Sequence, residues 1–517
     1  MRVDMLSIES QFAEPFAQSI QSLLANFGIS APDIMITELV LDSRDVAIHK
    51  AFIAVKGHSR DGRDFIPQAV SLGAKVIIAQ CDSAELHGQV TMRDNSLIIC
   101  FFELAEKLSK LAAYFYQHPA NSLSVVAVTG TNGKTSVVQL CNQLAFLLGE
   151  RSASIGTLGS GIYHQLSQLH STVNTTPDAI SIQRLLAEFV GEGASQVALE
   201  ASSHALVQKR LAALKTDVAV FTNLSRDHLD YHHTMDDYAK AKRLLLAQPS
   251  LKYAVLNGND PEHLNWLATS AKNTQVVVYG LNMAKDSVSK DYQYCLANNI
   301  QFTAFGVRFS LESSWGNCEL RLNLVGEFNI SNALAAITAQ LCLGKNLKNI
   351  AYIAQKLQPV AGRMELFSHP GRATIVVDYA HTPDALEKSL LAVRQHCQGQ
   401  LWCVFGCGGD RDTGKRPLMG AIAERLADRV VITDDNVRSE EPKKIVEDIL
   451  QGCRDPQTIL VEHSRTKAIE IAAQQCTELD FILVAGKGHE DYQIIGHQSQ
   501  AYDERAFVKQ FQQGKTS

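Results

Sequence analysis

The chain has 517 residues, too many for a single hydrophobic core, so we expect about three domains. Its 48 Lys and Arg residues and 54 Asp and Glu residues give a net charge of −6, which argues against binding to nucleic acid or a membrane surface. No apolar run reaches the roughly 20 residues that span a bilayer, and the acidic N-terminus lacks a signal-peptide core. With 11 scattered cysteines, these features predict a cytoplasmic protein, which we expect to be a monomer.

Residues 1–122 form the first predicted domain, a small α/β unit. The helix-like runs 65–74 and 104–117 accompany its strands, and His118-Pro119 stops the second of these helices. Strand-like segments are VLDSR (40–44), AFIAVKG (51–57) and KVIIAQ (75–80).

Residues 123–358 and 359–517 form the second and third predicted domains. Both alternate apolar strand-like runs with helical patterns, which is typical of parallel sheets with crossover helices, so the fold class is α/β. Within the second domain, 301–313 and 318–326 predict added antiparallel strands, and 329–344 predicts a helix that begins at its Asn and Ser residues.

The stretch VVAVTGTNGKTS (125–136) predicts a phosphate-binding loop. An apolar strand leads into a glycine-rich turn, which is followed by Lys134, Thr135 and a helix. Backbone N–H groups and the helix dipole attract phosphate oxygens, while the lysine neutralises them and the hydroxyl reaches Mg²⁺. The motif is a variant, since Val128 stands where the common form has glycine. The alternative is an ordinary tight turn with a surface lysine.

Polar clusters directly follow six of the predicted strands. Because the carboxyl ends of parallel strands line the ligand crevice of an α/β sheet, these clusters are candidate site residues. A single such cluster is more often a solvated loop, but six in register favour a site. They are Glu200, 223–228, Asp378, 409–412, 435–438 and 486–490.

Together the motifs resemble those of the Mur ligases, the ATP-dependent amino-acid-adding enzymes of bacterial cell-wall precursor synthesis. The resemblance covers nearly the whole chain, and its motifs include TGTNGKTS (129–136), EASSHALVQKR (200–210), YAKAKR (238–243), DNVRSEEP (435–442) and GKGHEDYQ (486–493). It implies a UDP-substrate domain (1–122), a central P-loop-like ATP-binding domain (123–358) and a Rossmann-like amino-acid-binding domain (359–517). It also implies ADP-forming ligation through an acyl phosphate.

The resemblance assigns the ATP and metal sites residue by residue. The catalytic positions of the family match Lys134, Glu200, His228 and Lys242. The implied Mg²⁺ ligands are Thr135, Glu200 and His228. Lys242 matches a lysine that carries CO₂ as a carbamate, and Lys240 is the alternative residue for that position. Mg²⁺ favours oxygen ligands, so His228 depends on the resemblance alone. The ATP-binding positions are Gly130, Thr131, Asn132, Gly133, Lys134, Thr135, Ser136, Asn329, Arg363, Asp378 and His381.

The other two substrates are assigned in the same way. Contacts to UDP-N-acetylmuramoyl-L-Ala-D-Glu are implied for Leu41, Ser43, His58, Ser59, Arg60, Asn174, Thr175, Thr176, Ser202, Gln208 and Arg210. Contacts to meso-diaminopimelate are implied for Arg411, Asp435, Asn436, Val437, Arg438, Gly486 and Glu490. In diaminopimelate-adding members a proline stands at the position of Val437. Arg438 is retained, and a guanidinium suits the second carboxylate of diaminopimelate.

Three alternatives stay open at this point. A lysine-adding ligase, or another member of the wider folate and Mur ligase group, has no use for Arg438. A P-loop NTPase that acts as a conformational switch explains 125–136 but gives Lys242 and the 486–490 motif no role. A ligase-like scaffold without activity conflicts with the intact set of candidate catalytic residues.

Overall fold

The computed structural model describes residues 16–57, 60–165, 174–269, 273–303 and 306–514, apart from the side chain of Asp230. Its chain divides into two compact units. The first comprises the described parts of Met1–Lys134, Gly149–Ala254 and Leu264–Gln275, and the second those of Thr135–Leu148, Val255–His263 and Val276–Ser517.

The first unit opens with an α/β layer whose described strands form a five-stranded sheet in the order β3-β4-β5-β7-β6. Only the β6–β7 pair is antiparallel in this sheet. A short β1–β2 pair precedes it, and apolar side chains of α1, β7 and α3 form one core. The elements are β1 (Gln18–Ser19), α1 (Ile20–Ala25), β2 (Met35–Ile36), β3 (Glu38–Val40), β4 (Lys50–Ala54), α2 (Ile66–Ser71), β5 (Val76–Cys81), β6 (Val90–Arg93), β7 (Ser96–Phe102) and α3 (Leu104–Phe115).

The rest of the first unit contains strands in the order β10-β9-β11-β8-β12. Strands β9, β11, β8 and β12 run parallel, as the sequence predicts, and β10 pairs antiparallel with β9. The elements are β8 (Ser124–Thr129), α4 (Lys134–Leu147, which continues into the second unit), β9 (Ser152–Gly156), β10 (Gly159–Ile162), α5 (Ala179–Gly191), β11 (Gln196–Glu200), α6 (Ser203–Val207), β12 (Val218–Phe221), α7 (Leu229–His232) and α8 (Met235–Arg243).

The second unit begins with a mixed set of strands. β14 pairs parallel with β15, while β15, β16 and β17 are antiparallel, which confirms the predicted antiparallel addition. The helix predicted from Asn329 begins earlier, at Glu327, because Gly326 adopts a positive φ of 89° and ends the preceding segment there. The elements are β13 (Tyr253–Asn257), α9 (His263–Leu267) and β14 (Gln275–Leu281), which all cross the unit boundary, then β15 (Gln293–Thr303), β16 (Gly306–Ser313), β17 (Gly316–Leu322), α10 (Glu327–Cys342) and α11 (Leu347–Ala354).

The C-terminal part of the second unit is a sheet in the order β18-β19-β23-β20-β21-β22, parallel except at β18. Alternate strand residues pack on α12–α14 on one face and on α15 and α16 on the other. The elements are β18 (Glu365–Phe367), β19 (Thr374–Asp378), α12 (Pro383–Arg394), β20 (Leu401–Phe405), α13 (Lys415–Leu426), β21 (Arg429–Ile432), α14 (Pro442–Leu450), β22 (Leu460–Val461), α15 (Arg465–Gln474), β23 (Phe481–Ala485), β24 (Tyr492–Ile495), β25 (Gln498–Ala501) and α16 (Glu504–Gln512).

This arrangement places the predicted polar clusters at or after the carboxyl ends of strands. Glu200 ends β11 and Asp378 ends β19, while 435–438 and 486–490 follow β21 and β23. An antiparallel hairpin, β24–β25, follows the last of these clusters and was not predicted. Among the described helices, none combines the length and the apolar character needed to cross a bilayer.

Candidate active site

The predicted phosphate-binding loop joins β8 to α4. Gly130 has a φ of 146°, and a Cβ atom there would lie 1.8 Å from Thr222 Oγ1. Gly133 also has a positive φ, of 86°. Both positions therefore require glycine, and the loop folds in the strand–turn–helix context that phosphate binding needs.

Thr222 and Asn223, which directly follow β12, hold this loop by hydrogen bonds. The backbone N–H of Thr131 donates to Asn223 O, and that of Asn132 donates to Asn223 Oδ1, both at 2.9 Å. Thr222 Oγ1 and Asn223 Nδ2 donate to Asn132 O at 2.6 and 3.1 Å. The loop is thus clamped by side chains of a neighbouring strand end rather than shaped by its glycines alone.

Lys134 begins α4 and lies against its own loop. Its Nζ donates to Gly130 O at 3.0 Å and to Thr131 O at 2.9 Å, so the ammonium stands beside the backbone that would receive phosphates. Thr135 and Ser136 follow in the first turn of the helix and are buried. Positive charge and a helix N-terminus therefore meet at one place, as anion binding requires.

Gly130→Ala should destabilise the first unit because the added methyl group collides with Thr222 and occupies an unfavourable φ. We expect a loss of about 1–3 kcal/mol in the free energy of unfolding, measured by urea denaturation. Gly191→Ala is the matched control, since a Cβ there meets nothing within 4 Å at the end of α5. Equal stability of the two variants would show that the loop adapts and that the close approach is unimportant.

Lys242, on α8, is as deeply buried as Glu200, another candidate catalytic residue. It is 1% exposed, its Nζ donates to Gly130 O at 2.8 Å, and it lies 4.3 Å from the centre of the Tyr238 ring. Burial lowers the pKa of the Lys242 ammonium well below its ordinary value, and Lys134 acts in the same direction while Asp227 opposes it. Its rival Lys240 is exposed and paired with Asp236.

Glu200 is buried at the end of β11, beside β8. Its Oε1 accepts from the backbone N–H of Thr157 at 2.8 Å, and its Oε2 accepts from Thr157 Oγ1 at 3.3 Å. Gly156 makes room for it, since a Cβ there would lie 2.4 Å from Glu200 Oε1. The carboxylate is held in place by donors, as a hard-metal ligand needs to be.

His228 precedes α7 in a left-handed conformation, with a φ of 52°. The ring is exposed, its Nε2 lies 3.5 Å from Asp227 Oδ2, and it packs edge-on against His204 at 5.2 Å. Within the described ranges, no three His, Cys, Asp or Glu side chains form a group that could hold a metal by themselves. Any metal here would need hydroxyl, phosphate or water oxygens as well.

Several residues assigned to the peptide part of the UDP-substrate lie next to Glu200 and contact one another. Thr176 Oγ1 donates to Glu200 O at 2.7 Å and to Ser202 Oγ at 3.0 Å, and Thr175 Oγ1 accepts from Thr157 Oγ1 at 3.4 Å. Ser202 also caps α6. Asn174 is exposed at the edge of this group.

Arg210 is the cation of this group. Its guanidinium donates to Thr176 O at 2.5 Å and to Gln208 Oε1 at 2.6 Å, and across the described chain it forms no ion pair with a carboxylate. Burial lowers the pKa of Arg210, with Asp178 opposing. A half-buried cation bonded only to neutral oxygens is suited to an anionic ligand.

The residues assigned to the uridine end lie in the N-terminal layer. Ser43 is buried and donates to Gln68 Oε1 at 2.9 Å, Leu41 packs against the core, and Arg60 is exposed. His58 and Ser59 lie outside the described residues. The structure thus brings the peptide contacts together near Glu200, and leaves the uridine contacts in a separate layer of the same unit.

The amino-acid site in the second unit is formed by 435–438 and 486–490, after β21 and β23. Asp435, Asn436 and Val437 are buried, and Arg438 is half-buried with a positive φ of 50°. Arg438 Nη1 donates to Gly409 O at 2.9 Å, and no carboxylate in the described chain lies within ion-pair distance of this guanidinium. Arg411, on the facing 409–412 loop, is exposed.

Gly486 allows the two segments to approach, since a Cβ there would lie 2.6 Å from Asp435 Oδ2. Glu490 Oε2 accepts from Asn436 Nδ2 at 3.1 Å and from Lys487 Nζ at 2.7 Å. Tyr379 Oη donates to Glu490 Oε1 at 3.3 Å. An arginine, two carboxylates and a buried lysine therefore share one site.

The hairpin β24–β25 fastens this loop. The backbone N–H of Arg438 donates to Ile494 O at 3.1 Å, and that of Gly496 donates to Arg438 O at 2.7 Å. Gln493 Nε2 donates to Asp435 O at 2.9 Å. Most hairpin residues are exposed, and their sequence, YQII and QSQA, lacks the alternation of apolar and polar residues that predicts a strand.

The remaining ATP candidates of the second unit lie around Tyr379. The Arg363 guanidinium covers the Tyr379 ring at 4.4 Å, and burial together with Arg363 lowers the pKa of His489 to about 4. Asp378 accepts from Met364 N at 2.9 Å and from Ser389 Oγ at 2.7 Å, so both carboxylate oxygens already have partners.

The last two ATP candidates make local contacts. The His381 ring is exposed, and its Nδ1 lies 2.8 Å from Tyr379 O. Asn329 is buried in the first turn of α10, where its Nδ2 donates to Val325 O at 2.9 Å. Asn329 therefore contacts the backbone just before α10, while Arg363, Asp378 and His381 share one neighbourhood.

The sequence assigned no individual role to six residues that support the predicted ones, although Asn223 and Lys487 lie in the candidate clusters 223–228 and 486–490. They are Thr157, Thr222, Asn223, Tyr379, Lys487 and Gln493. Thr222 and Asn223 lie at the end of a predicted strand, and only this position in the sequence could have indicated their role. Nothing in the sequence marked Thr157 as a partner of Glu200.

Comparisons with known proteins agree with this architecture. Residues 35–116 match the Mur ligase family catalytic domain, 128–340 the Mur ligase middle domain, and 362–488 the Mur ligase glutamate ligase domain. A solved UDP-N-acetylmuramoyl-L-alanyl-D-glutamate–2,6-diaminopimelate ligase is 32% identical, with a TM-score of 0.71, and the match covers 96% of this chain and 99% of that one. The chain belongs to the Mur ligase family, and it is an ATP-dependent ligase.

More distant structures share the fold alone. MurF from Acinetobacter baumannii is 18% identical with a TM-score of 0.64, covering 92% of this chain and 97% of that one. MurF ligase from Thermotoga maritima, solved in complex with ADP, is 19% identical with a TM-score of 0.61, covering 87% and 94%. The predicted α/β class with three Mur ligase domains is thereby confirmed.

Proposed function

We propose that the chain adds meso-2,6-diaminopimelate to the D-Glu γ-carboxylate of UDP-N-acetylmuramoyl-L-Ala-D-Glu, in peptidoglycan precursor synthesis in the cytoplasm. The observation that carries the proposal is the amino-acid site. Arg438 donates to Gly409 O from the loop that also holds Asp435 and Asn436, and Asn436 donates to the Glu490 carboxylate. An amino acid whose distal end bears both a carboxylate and an ammonium matches that pattern.

The chemistry proceeds in two stages. A γ-carboxylate oxygen attacks the γ-phosphorus of ATP, ADP leaves, and an acyl phosphate forms. The amine of the incoming amino acid then attacks the acyl carbon, an amide forms, and inorganic phosphate leaves with a proton released. Lys134 and the N-terminus of α4 stabilise the phosphate charge in the first stage.

Glu200 and Thr135 are suited to Mg²⁺ because both offer oxygen, the ligand atom that Mg²⁺ prefers. Glu200 is buried and held by Thr157, which leaves it preorganised. His228 is the least expected ligand, since its nitrogen is a softer donor. Bound Mg²⁺ would neutralise phosphate charge at this point.

Lys242 is proposed to carry a carbamate. Its lowered pKa provides the neutral amine, which attacks CO₂ and releases a proton, and the cation becomes an anion. The product would present an oxygen ligand beside the phosphate-binding loop, where Lys242 Nζ already reaches Gly130 O. Lys240 has no comparable burial.

The UDP-substrate is assigned to the first unit. Arg210 would pair with an anionic group of the muramyl dipeptide, since it is half-buried and bonded to neutral oxygens. Thr175, Thr176, Ser202 and Gln208 would contact the same part, and the layer around Ser43 would contact uridine diphosphate. Thr176 donates to Glu200 O, so the peptide part would bring its γ-carboxylate toward Glu200, the proposed Mg²⁺ ligand.

Arg438→Ala should raise the KM for diaminopimelate about 10- to 150-fold, the equivalent of a charge-assisted hydrogen bond worth about 1.5–3 kcal/mol. The KM values for ATP and the UDP-substrate should stay near wild type. Lysine, which lacks the distal carboxylate, should be used as poorly as before. The measurement is steady-state kinetics with both amino acids.

Two controls accompany this variant. Arg429→Ala removes an exposed arginine of the same unit and should change no KM. Val437→Pro restores the proline of diaminopimelate-adding members and should keep the preference, because within the described chain the Val437 N–H donates no backbone hydrogen bond. If Arg438→Ala keeps the preference for diaminopimelate, the assignment of this loop is wrong.

The function itself is tested by omitting substrates. Purified protein with ATP and Mg²⁺ should form more than one ADP per enzyme molecule only when the UDP-substrate and diaminopimelate are both present. A switch NTPase would form ADP without them, and a lysine-adding ligase would prefer lysine. Either result would reject the proposed function.

A further inference from the structure

Lys487 is a fully buried cation inside the amino-acid site. Its Nζ donates to Asn436 Oδ1 at 2.9 Å and to Glu490 Oε2 at 2.7 Å, and it lies 3.8 Å from Asp435 Oδ1. The Tyr492 ring of the hairpin lies 5.1 Å from the same nitrogen. A buried ammonium needs such partners, and here the partners are the side chains expected to bind the amino acid.

The charges of the site balance only when Lys487 is counted. Asp435 and Glu490 contribute two negative charges, and Arg438 and Lys487 contribute two positive ones. Two neighbouring arginines have carboxylate partners of their own: Arg465 pairs with Glu504, and Arg416 pairs with Glu440 and Asp448. The exposed Asp410 and Arg411 on the facing loop carry opposite charges. Taken by themselves, the four side chains Asp435, Glu490, Arg438 and Lys487 therefore carry no net charge.

We propose that Lys487 is a positioning residue that selects a zwitterionic distal end over a simple cation. The distal end of diaminopimelate carries one ammonium and one carboxylate, so a neutral site accepts it without excess charge. The side chain of lysine ends in an ammonium alone. Without Lys487 the site would carry a net negative charge and would favour lysine. This inference rests on the proposed function, whose substrate choice it explains.

Lys487 also fixes geometry. Its contacts hold Asn436 and Glu490 together, and Asn436 Oδ1 accepts from Ile494 N at 2.8 Å as well. The lysine thus joins the 486–490 segment, the 435–438 loop and the hairpin. Removing its charge while keeping a donor separates the electrostatic role from this structural one.

The experiment compares Lys487→Met with Lys487→Gln, whose amide can still donate to Asn436 and Glu490. For each we measure kcat/KM with diaminopimelate and with lysine, the KM values for ATP and the UDP-substrate, and thermal unfolding. Lys467→Met, an exposed lysine on α15, is the matched control. The ratio of the two kcat/KM values should fall about tenfold or more in both Lys487 variants. The KM for ATP should stay within about twofold of wild type, since this charge serves the amino acid.

The double variant Lys487→Met/Glu490→Gln removes one charge of each sign. It should recover part of the preference for diaminopimelate relative to Lys487→Met, a result that loss of structure does not produce. An unchanged ratio in folded Lys487→Gln overturns the inference, and so does a double variant no better than Lys487→Met. If Lys487→Met does not fold, Lys487→Gln alone decides. Wild-type protein that uses neither amino acid rejects the proposed function instead, and the role of Lys487 with it.

Discussion

Lys134→Ala should lower the rate of ADP formation about 1,000-fold, the upper range for removing one group that stabilises transition-state charge. Its ammonium is held beside Gly130 O and Thr131 O, in the loop that would receive the phosphates. Lys242 does not replace it, because Lys242 donates to the same loop and burial lowers the pKa of its ammonium. The measurement is a coupled ADP assay at saturating substrates.

The variant should still bind the UDP-substrate, whose assigned contacts around Arg210 and Ser43 do not involve Lys134. Lys209→Ala, an exposed lysine paired with Glu106, is the control and should be fully active. Near-normal ADP formation by Lys134→Ala would refute the phosphate-loop assignment. Loss of UDP-substrate binding would show that the substitution damages the fold.

Lys242→Ala should lower turnover about 100- to 1,000-fold, because it removes the proposed carbamate and its negative charge. Burial and Lys134 lower the pKa of Lys242, so at neutral pH its amine is neutral far more often than an exposed lysine. That neutral form is the one that reacts with CO₂. Depleting CO₂ should therefore lower wild-type activity, and raising the pH should favour the carbamate.

Three comparisons make this prediction specific. Lys240→Ala, two residues away on the exposed face of α8, should be active. Bicarbonate should not restore Lys242→Ala, whereas formate or acetate should restore part of the activity by supplying the missing anion. A fully active Lys242→Ala would end the carbamate proposal, and equal losses in both lysine variants would indicate damage to the helix.

The sequence predicted what depends on local pattern. Strands β8, β11, β19 and β23 were recognisable as apolar runs, and the positions of Glu200, Asp378 and 486–490 at strand ends followed from them. The choice of Lys242 over Lys240 came from resemblance and spacing. The structure adds a physical reason for this choice, since Lys242 is 1% exposed and Lys240 forms an exposed ion pair with Asp236.

The sequence could not predict contacts between distant segments. Lys487 lies in the candidate cluster 486–490, but its burial depends on Asp435 and Asn436, which belong to a distant segment of the chain. Thr222 and Asn223 clamp a loop about 90 residues earlier in the chain. The polar hairpin β24–β25 gave no periodic signal. The domain boundaries at 122 and 358 stay predictions.

Isotope transfer tests the central claim, ligation through an acyl phosphate, most directly. The UDP-substrate is labelled with ¹⁸O in both oxygens of its γ-carboxylate and incubated with ATP, Mg²⁺ and diaminopimelate, and the inorganic phosphate is analysed by mass spectrometry. The oxygen that attacks ATP leaves with phosphate, so each phosphate should carry one ¹⁸O and the new amide should keep the other. Unlabelled phosphate, or phosphate released at the same rate without diaminopimelate, would contradict the account.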